Sequence, residues 1–375
     1  MSDNSTRSRS GEADVSVLMT GAGAPGAWGI IRSLRSTDER EVYIVGVDMD
    51  PDAYGLALVD EQYRVPAGGD DGYVPRIADI VSEVGVDVVL PLTTDELQPL
   101  ANNREEIDAR VMVSDPEALG IANDKAALYG FLEDNDFDSA PDFRRVEDES
   151  SFAEAVESLG YPDEPVCFKP VVGSGMRGFR VLDPAADRAT RLLEEKPGEP
   201  VTTLEEIRPV LASADPFPEL VVMEYLPGKE YSVDALAMGD DVGPVVPRSR
   251  AKTRAGISFR GVVERDETLI DEASAICRDL GLEYNVNLQF KHDADGNPKL
   301  IEINPRVAGT IIMCVGAGAN LPYLGVKHAL GESIPDVNVQ WGTWMARYWN
   351  EIFRKPSGET FHVNDEGTRR GIPNR

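Results

Sequence analysis

The residues best suited to chemistry lie in two short runs, Asn285–His292 and Lys299–Asn304, that flank the dipeptide Asp295-Gly296. Asp-Gly between alternating segments is a strong hairpin signal. With those two residues as the loop, Gln289 faces Glu302 and Asn287 faces Asn304. Side chains alternate along a strand, so these four share one face, while Leu288, Phe290, Ile301 and Ile303 share the other. An all-oxygen set with one carboxylate suits a hard cation such as Mg²⁺ (or Mn²⁺), held together with substrate phosphates and water. The bland alternative is a solvated sheet face, although such a face ordinarily mixes charges and Thr. The run continues as Glu302-Ile303-Asn304-Pro305-Arg306. Its guanidinium matches a phosphoryl or acyl-phosphate oxygen.

Two further segments fit a phosphorylated ligand. Lys169-Pro170-Val171-Val172 leads into Gly173-Ser174-Gly175-Met176-Arg177-Gly178. Glycines let backbone N–H groups approach phosphate oxygens, and the preceding Lys offers a point charge. This is not a Walker loop, because the Lys precedes the glycines; a plain flexible hairpin loop is the competing reading. In Glu224-Tyr225-Leu226-Pro227-Gly228-Lys229-Glu230 an apolar strand exits into a turn with an acid on each side. Its backbone edge suits a purine, and Glu230 suits ribose hydroxyls.

The surrounding elements must position these groups. Val15–Met19, Val42–Val47, Val86–Leu92 and Val111–Val113 read as apolar strands, and Gly26–Leu34 and Val74–Val84 as helices. This alternation predicts an α/β domain with a parallel sheet covered on both faces. In the second half, strands over Val166–Val172, Leu220–Leu226, Tyr231–Met238 and the hairpin are joined by turns, with helices over Phe152–Gly160, Thr202–Leu211 and Leu269–Leu280. That half reads as α+β with antiparallel pairing. The expected division is a disordered lead-in at 1–14, the α/β domain at 15–117, a second domain at 118–350 and a loose polar tail at 351–375. The second domain splits into lobes at 118–220 and 221–350.

In this order the motifs resemble the ATP-grasp superfamily, in particular the branch of the carbamoyl-phosphate-synthase large subunit. Asn123-Asp124-Lys125, Lys169-Pro170 with its glycine loop, the Glu224–Glu230 hinge, Gln289 and Glu302-Ile303-Asn304-Pro305-Arg306 carry the resemblance over roughly Val15–Arg347. It implies a Rossmann-like preATP-grasp domain followed by an ATP-grasp fold of two α+β subdomains. It implies that Lys125 and Lys169 meet the ATP phosphates and that Gly173, Ser174, Gly175, Met176, Arg177 and Gly178 close over them. Glu224, Tyr225 and Leu226 then hold the adenine and Glu230 the ribose. Gln289, Glu302 and Asn304 then ligate two Mg²⁺ ions, and Arg306 stabilises the transferred phosphate. Two departures stand out: Gln289 occupies a position where many relatives have Glu, and Met176 one where small residues are frequent. The implied reaction is ATP-dependent activation of a small carboxylate as an acyl phosphate, then capture by an amine or ammonia, catalysed mainly by positioning and charge stabilisation. Arg250, Lys252 and Arg254 place three cations in five residues. We expect this segment to face the phosphates or the acceptor carboxylate, with Arg254 in a catalytic role; a solvated charge run is the competing reading. Gly309-Thr310, Gly21–Trp28 and Thr93–Glu96 are expected to line the acceptor pocket, which points to a small polar molecule.

Composition narrows the classes. The 375 residues carry 66 Asp plus Glu against 37 Lys plus Arg, a net charge of −29. Such a surface repels nucleic acid and anionic lipid, so neither is an expected partner. A carboxylate excess with few Lys resembles proteins of salt-loving organisms, where salt screens the self-repulsion. No apolar run approaches the ~20 residues of a membrane span, and Met1–Asp14 lacks the apolar stretch of a signal peptide. The expectation is a cytoplasmic protein, with room for a homodimer. Cys167, Cys277 and Cys314 sit in apolar contexts without CxxC spacing and are expected to be reduced and buried. Gly21-Ala22-Gly23-Ala24-Pro25-Gly26 with Asp48 beyond it satisfies the dinucleotide fingerprint. An NAD(P)-binding oxidoreductase is therefore a competing class, disfavoured because the second half offers no hydride-transfer site. Carbamoyl-phosphate-synthase-like bicarbonate phosphorylation and a non-catalytic ATP-binding role also compete.

Overall fold

The computed structural model describes residues 14–173, 177–194, 200–254, 257–348, 351–357, 360–363 and 369–371. Most of the lead-in expected at 1–14, and Ser174, Gly175 and Met176 of the glycine loop, lie outside these residues.

The first unit is a parallel sheet of β1 (Val15–Met19), β2 (Val42–Asp48), β3 (Glu61–Arg64), β4 (Val88–Leu90) and β5 (Arg110–Val111), in the order β3-β2-β1-β4-β5. β1 is buried at all five positions, as expected of a parallel strand covered on both faces. Helix α1 (Ala27–Arg35) follows β1, α2 (Tyr73–Val84) follows β3, and α3 (Leu97–Asn102) follows β4. α2 presents Val74, Ile77, Ile80 and Val81 to the sheet and stops at Gly85, whose φ of 77° is the left-handed C-terminal conformation glycine adopts without strain. β3 was missed in the sequence because Glu-Gln-Tyr-Arg is a half-polar edge strand.

The chain then enters α4 (Pro116–Asn123) and α5 (Lys125–Asp134) and builds an antiparallel-rich sheet. Its strands are β6 (Phe143–Val146), β7 (Val166–Pro170), β8 (Arg180–Leu182), β9 (Val201–Thr202) and β10 (Leu220–Glu224), in the order β6-β10-β7-β8-β9. It is backed by α6 (Glu149–Ser158) and α8 (Leu204–Ala212), while α7 (Arg188–Leu193) connects β8 to β9. α6 and α8 each begin with a capping box, Asp148 with Ser151 and Thr203 with Glu206. β10 pairs with both β6 and β7. The lobe division therefore falls after Glu224, not at residue 220, because Leu220–Glu224 completes the first lobe's sheet.

The third sheet consists of β11 (Glu230–Met238) and β12 (Asp241–Ser249), with β15 (Glu283–His292) and β16 (Pro298–Asn304), in the order β12-β11-β15-β16. Between them run β13 (Lys252–Arg254) and β14 (Ile257–Val262), which form a small sheet with β17 (Trp344–Ala346). α9 (Glu267–Asp279) packs on β11 and β12, and α10 (Ile312–Gly316) and α11 (Leu321–Ala329) follow the Arg306 loop. The segment read as a loose tail carries strand pairing, β18 (Phe353–Arg354) with β19 (Thr360–Val363) and β19 with β20 (Arg369–Gly371).

Two cores knit these sheets together. One joins β1 and α1 to α10, α11, Leu236 and Val246; the other joins α5, β7 and β10 to β11, β15 and α9. Cys167, Cys277 and Cys314 are buried and unpaired. Among the described residues no helix is long and apolar enough to cross a membrane.

Candidate active site

A cavity of about 450 Å³ lies where the first unit and the two lobes meet, within the ~300–1,000 Å³ range of small-molecule sites. Its floor is the polar face of the third sheet. β15 and β16 pair Asn287 with Asn304 and Gln289 with Glu302, and β11 adds Ser232 opposite Gln289 and Asp234 opposite Asn287. The metal-ligand candidates Gln289, Glu302 and Asn304 therefore point to one side, and all three line the cavity. Asn304 Nδ2 donates to Glu302 Oε1 at 3.1 Å, and Arg306 Nη2 donates to Asn304 Oδ1 at 3.1 Å. Asn287 Nδ2 donates to Asp234 Oδ1 at 2.9 Å, and Asp234 is itself in a buried ion pair with Arg248. Two amides are thus fixed in orientation by hydrogen bonds.

The expected pairing of these residues holds, although the turn that produces it differs. The loop is Asp293–Asn297, five residues, with the Asp293 carboxylate accepting from the Asp295 and Asn297 N–H groups. Pairing next to this loop is displaced by one residue, and a bulge between Gln289/Glu302 and Phe290/Leu300 restores it. The extra residue is Ile301. Leu300, not Ile301, is fully buried on the apolar face with Leu288 and Phe290, and Ile301 lines the cavity instead.

A bulge leaves backbone groups out of the ladder, and the site uses one of them. The Ile301 carbonyl accepts from Lys169 Nζ at 2.7 Å and from Tyr129 Oη at 2.8 Å, and Lys169 Nζ also donates to Tyr129 Oη at 2.8 Å. Burial pushes the Lys169 pKa down to about 8, with the Glu302 carboxylate pulling it back up. Lys125 opens α5, whose N-terminus Asp124 caps by accepting from Ala127 N–H. Its Nζ donates to the Gly173 carbonyl at 2.8 Å, and burial lowers its pKa against the pull of Glu302 and Asp124. Both lysines and Glu302 therefore face one space.

The remaining site residues divide. Tyr225, Leu226, Glu230, Gly173 and Arg177 line the cavity. Glu224 lies outside the lining: its carboxylate accepts from Asp142 N–H at 3.0 Å, and its carbonyl from Cys167 Sγ at 3.3 Å. Gly178 also lies outside the lining, and its φ of 74° turns the loop back beside Pro170. Of the three cations, Arg250 lines the cavity and pairs with Glu230 at 2.8 Å, the acid expected to meet the ribose. Lys252 is exposed and outside the lining, whereas its neighbour Thr253 lines the cavity, the alternation expected within β13. The Arg254 side chain lies outside the described residues. Arg306 lines the cavity, its Nη1 donating to the Val307 carbonyl at 3.0 Å, while its buried Nε has no partner among the described residues.

The first unit closes the far end. Ala24, Pro25, Gly26, Ala27, Leu92, Gly309 and Thr310 line it, as expected for the two glycine-bearing segments. Thr93–Glu96 does not line it. Glu96 points inward and accepts from Thr20 and Tyr73 hydroxyls, both at 2.5 Å, and from Leu92 and Thr93 N–H groups. Asp48, the acid of the dinucleotide fingerprint, accepts from Gly23 N–H at 2.7 Å and Asp50 N–H at 2.9 Å. The glycines serve close packing: a Cβ on Gly55 would fall 2.0 Å from the Ala22 carbonyl oxygen, and one on Gly26 2.3 Å from Gly309 Cα. The fingerprint is thus occupied by the protein's own backbone.

Sequence reasoning missed Tyr129, the Ile301 carbonyl, Asp234 and Arg347. Arg347 donates to the Pro25 carbonyl at 3.4 Å and the Gly309 carbonyl at 3.2 Å, fastening the first unit to the Arg306 loop. Tyr129, Asp234 and Arg347 stand outside the motifs, and Ile301, although it precedes Glu302, acts through a backbone carbonyl that residue type does not reveal.

Comparison with known proteins agrees with this geometry. Residues 216–348 match the family described as ATP-grasp in the biosynthetic pathway with Ter operon, and residues 17–113 match the PylC-like N-terminal domain. The chain is 29% identical over 224 residues to the arginine-specific large chain of carbamoyl phosphate synthase from Geobacillus stearothermophilus, covering 57% of this chain and 19% of that one. It is 33% identical over 124 residues to carnosine synthase 1 of Gallus gallus, covering 30% and 13%. The chain thus spans less than a fifth of the length of either curated relative. Among solved structures it resembles N5-carboxyaminoimidazole synthetase from Staphylococcus aureus in complex with ADP (TM-score 0.64, 16% identity, 90% of this chain and 83% of that one). It also resembles L-amino acid ligase from Bacillus licheniformis (TM-score 0.60, 16% identity, 85% and 75%). One match thus falls on the parallel-sheet unit, as a PylC-like N-terminal domain, and the other, to an ATP-grasp family, on the third sheet and its surroundings.

Proposed function

We propose that this protein is an ATP- and Mg²⁺-dependent ligase that activates a small carboxylate and joins it to an amine or ammonia. One observation carries the reading: Lys125 and Lys169 face Gln289, Glu302 and Asn304 across a single cavity. Cations and an oxygen-donor cluster lining one cavity are what a triphosphate with its counter-ion requires.

The donor chemistry fits the metal. Among the described residues no three His, Cys, Asp or Glu side chains cluster, which excludes a thiolate or imidazole cage. One carboxylate and two amide oxygens suit Mg²⁺, which keeps water and phosphate oxygens as its remaining ligands. Gln289, Glu302 and Asn304 would hold it. Bound there, it would neutralise phosphate charge in the transfer step.

The protein's own groups divide the work. Tyr225 and Leu226 seat the base, and Glu230, oriented by Arg250, accepts from the ribose. Lys125 and Lys169 hold the phosphates. A carboxylate oxygen attacks the γ-phosphorus and the bond to ADP breaks; Arg306 stabilises the transferred phosphoryl group. The amine nitrogen then attacks the acyl carbon, phosphate leaves, and the nitrogen loses a proton to solvent. Positioning and charge stabilisation, not proton transfer, dominate such a site. The similarity to a carbamoyl phosphate synthase chain supports a second reading, in which bicarbonate takes the place of the carboxylate.

ADP release over a panel of acids and bicarbonate tests both readings. Each is paired with ammonia, an amine or hydroxylamine, in buffer rich in KCl. We expect acid-dependent ADP release and a hydroxamate, both abolished in Glu302→Ala while the far-UV spectrum is kept. No ADP release with any pair refutes the ligase reading; release with bicarbonate alone selects the second.

A further inference from the structure

Resting on the ligase reading, we infer that the carboxylate substrate carries a single negative charge on a small apolar body. The sequence pointed to a polar acceptor, but the end of the cavity away from Tyr225 and Leu226 is apolar. Ala24, Ala27 and Ile30 come from the first unit, Leu92 from the end of β4, and Val307 and Ala308 from the loop after Arg306. Within this end, among the described residues, Arg306 supplies the charge and Thr310 a hydroxyl.

The charged groups behind the wall are turned away from it. Glu96 is buried and takes four donors from its own unit. Asp48 holds the Gly23 and Asp50 N–H groups. Arg347 donates to the Pro25 and Gly309 carbonyls and, although its buried Nε has no partner among the described residues, does not line the cavity; the Tyr54 hydroxyl donates to the Ala24 carbonyl. A second carboxylate or a phosphate on the substrate would be desolvated here without a described partner, and burying an unpaired charge is strongly unfavourable. An alkyl body instead replaces water against Ile30, Leu92 and Val307. The one charge that fits is the reacting carboxylate at Arg306, whose Nε is buried without a partner among the described residues.

The test uses the full chain with Mg²⁺, ATP and hydroxylamine, and compares kcat/KM for acetate, propionate, butyrate and valerate with that for succinate and phosphoglycolate. Binding of Mg²⁺–ADP by calorimetry is measured alongside. We expect kcat/KM to rise about fourfold per methylene up to the four- or five-carbon acid, the ~0.8 kcal/mol of one buried CH₂. Succinate should fall at least a hundredfold below butyrate. Leu92→Ala should reduce the valerate-to-acetate preference several-fold while leaving nucleotide affinity intact. ADP release fastest with succinate, phosphoglycolate or bicarbonate overturns this inference and leaves the ligase reading standing. So does a flat series, or a preference unaltered in a folded Leu92→Ala. Nucleotide binding without ADP release on any acid overturns both.

Discussion

Lys169 gives the site a pH dependence that follows from its surroundings. Its ammonium sits against the Ile301 carbonyl and Tyr129 hydroxyl, and burial lowers its pKa from 10.5 to about 8. At 1.36 kcal/mol per pH unit, keeping the charge in the empty site costs on the order of 3 kcal/mol. An incoming triphosphate offsets that cost and restores the proton. The free site is then roughly nine-tenths protonated at pH 7 and roughly one-tenth at pH 9. Phosphate groups have a second pKa near ~6, so above pH 7.5 the ligand no longer contributes. If the complex keeps the proton, the dissociation constant of Mg²⁺–ADP rises roughly twentyfold between pH 7.5 and 9.5. Calorimetry in two buffers of different ionisation enthalpy should show uptake of nearly one proton at pH 9. Folding follows the same linkage. The unfolded lysine keeps its proton up to 10.5, so between pH 8 and 10.5 the unfolded chain binds more protons and this residue's penalty shrinks as pH rises. Lys169→Arg keeps its charge throughout and should bind with a shallower profile, Lys125 supplying what slope remains. A flat wild-type profile, or the same slope in Lys169→Arg, would refute the reasoning.

Tyr129→Phe removes one partner each from Lys169 and the Ile301 carbonyl but keeps the ring beside Phe143, with centroids 5.2 Å apart. We expect a loss of about 1–3 kcal/mol in urea unfolding, the cost of leaving buried polar groups short of partners, and nucleotide affinity weaker by several-fold. Unchanged affinity would show that Tyr129 does not position the lysine. Gly26→Ala places a Cβ 2.3 Å from Gly309 Cα. Overpacking of this kind costs about 1–3 kcal/mol. Because the strain falls on the wall beside Arg306, KM for the acid should rise more than KM for ATP; equal rises would contradict the placement.

The fold was legible where burial imposes a period. β1, α1, α2, β7, β10, β11 and α9 announce themselves through unbroken apolar runs or helical stripes. The half-polar edge strand Glu61–Arg64 gave no such signal. β12, opening with Asp241-Val242-Gly243-Pro244, received no strand reading, because Gly and Pro are ordinarily excluded from strand interiors. The shared polar face was readable because Asn287, Gln289, Glu302 and Asn304 alternate with apolar residues. The Ile301 bulge was not, since the apolar run Leu300-Ile301 is compatible with either residue facing inward. Lys252 was grouped with Arg250 by charge, but the chain bends at Ala251 between β12 and β13, and Thr253, not Lys252, lines the cavity. Glu96 illustrates the opposite error: a carboxylate beside two threonines looks like a binding group, and here it secures a loop from beneath.

The core that β1 and α1 share with α10 and α11 has a consequence for recombining this chain with its relatives. Ile30, Ile31 and Leu34 interleave with Met313, Leu321 and Leu324 in one continuous apolar mass. A chimera that exchanged residues 17–113 alone would confront a foreign helix face with these partners. Grafts that carry the 312–329 helices with the donor segment keep both sides of the seam matched. Acceptor preference should therefore transfer between such proteins as a two-piece cassette, its halves separated by some two hundred residues in the polypeptide.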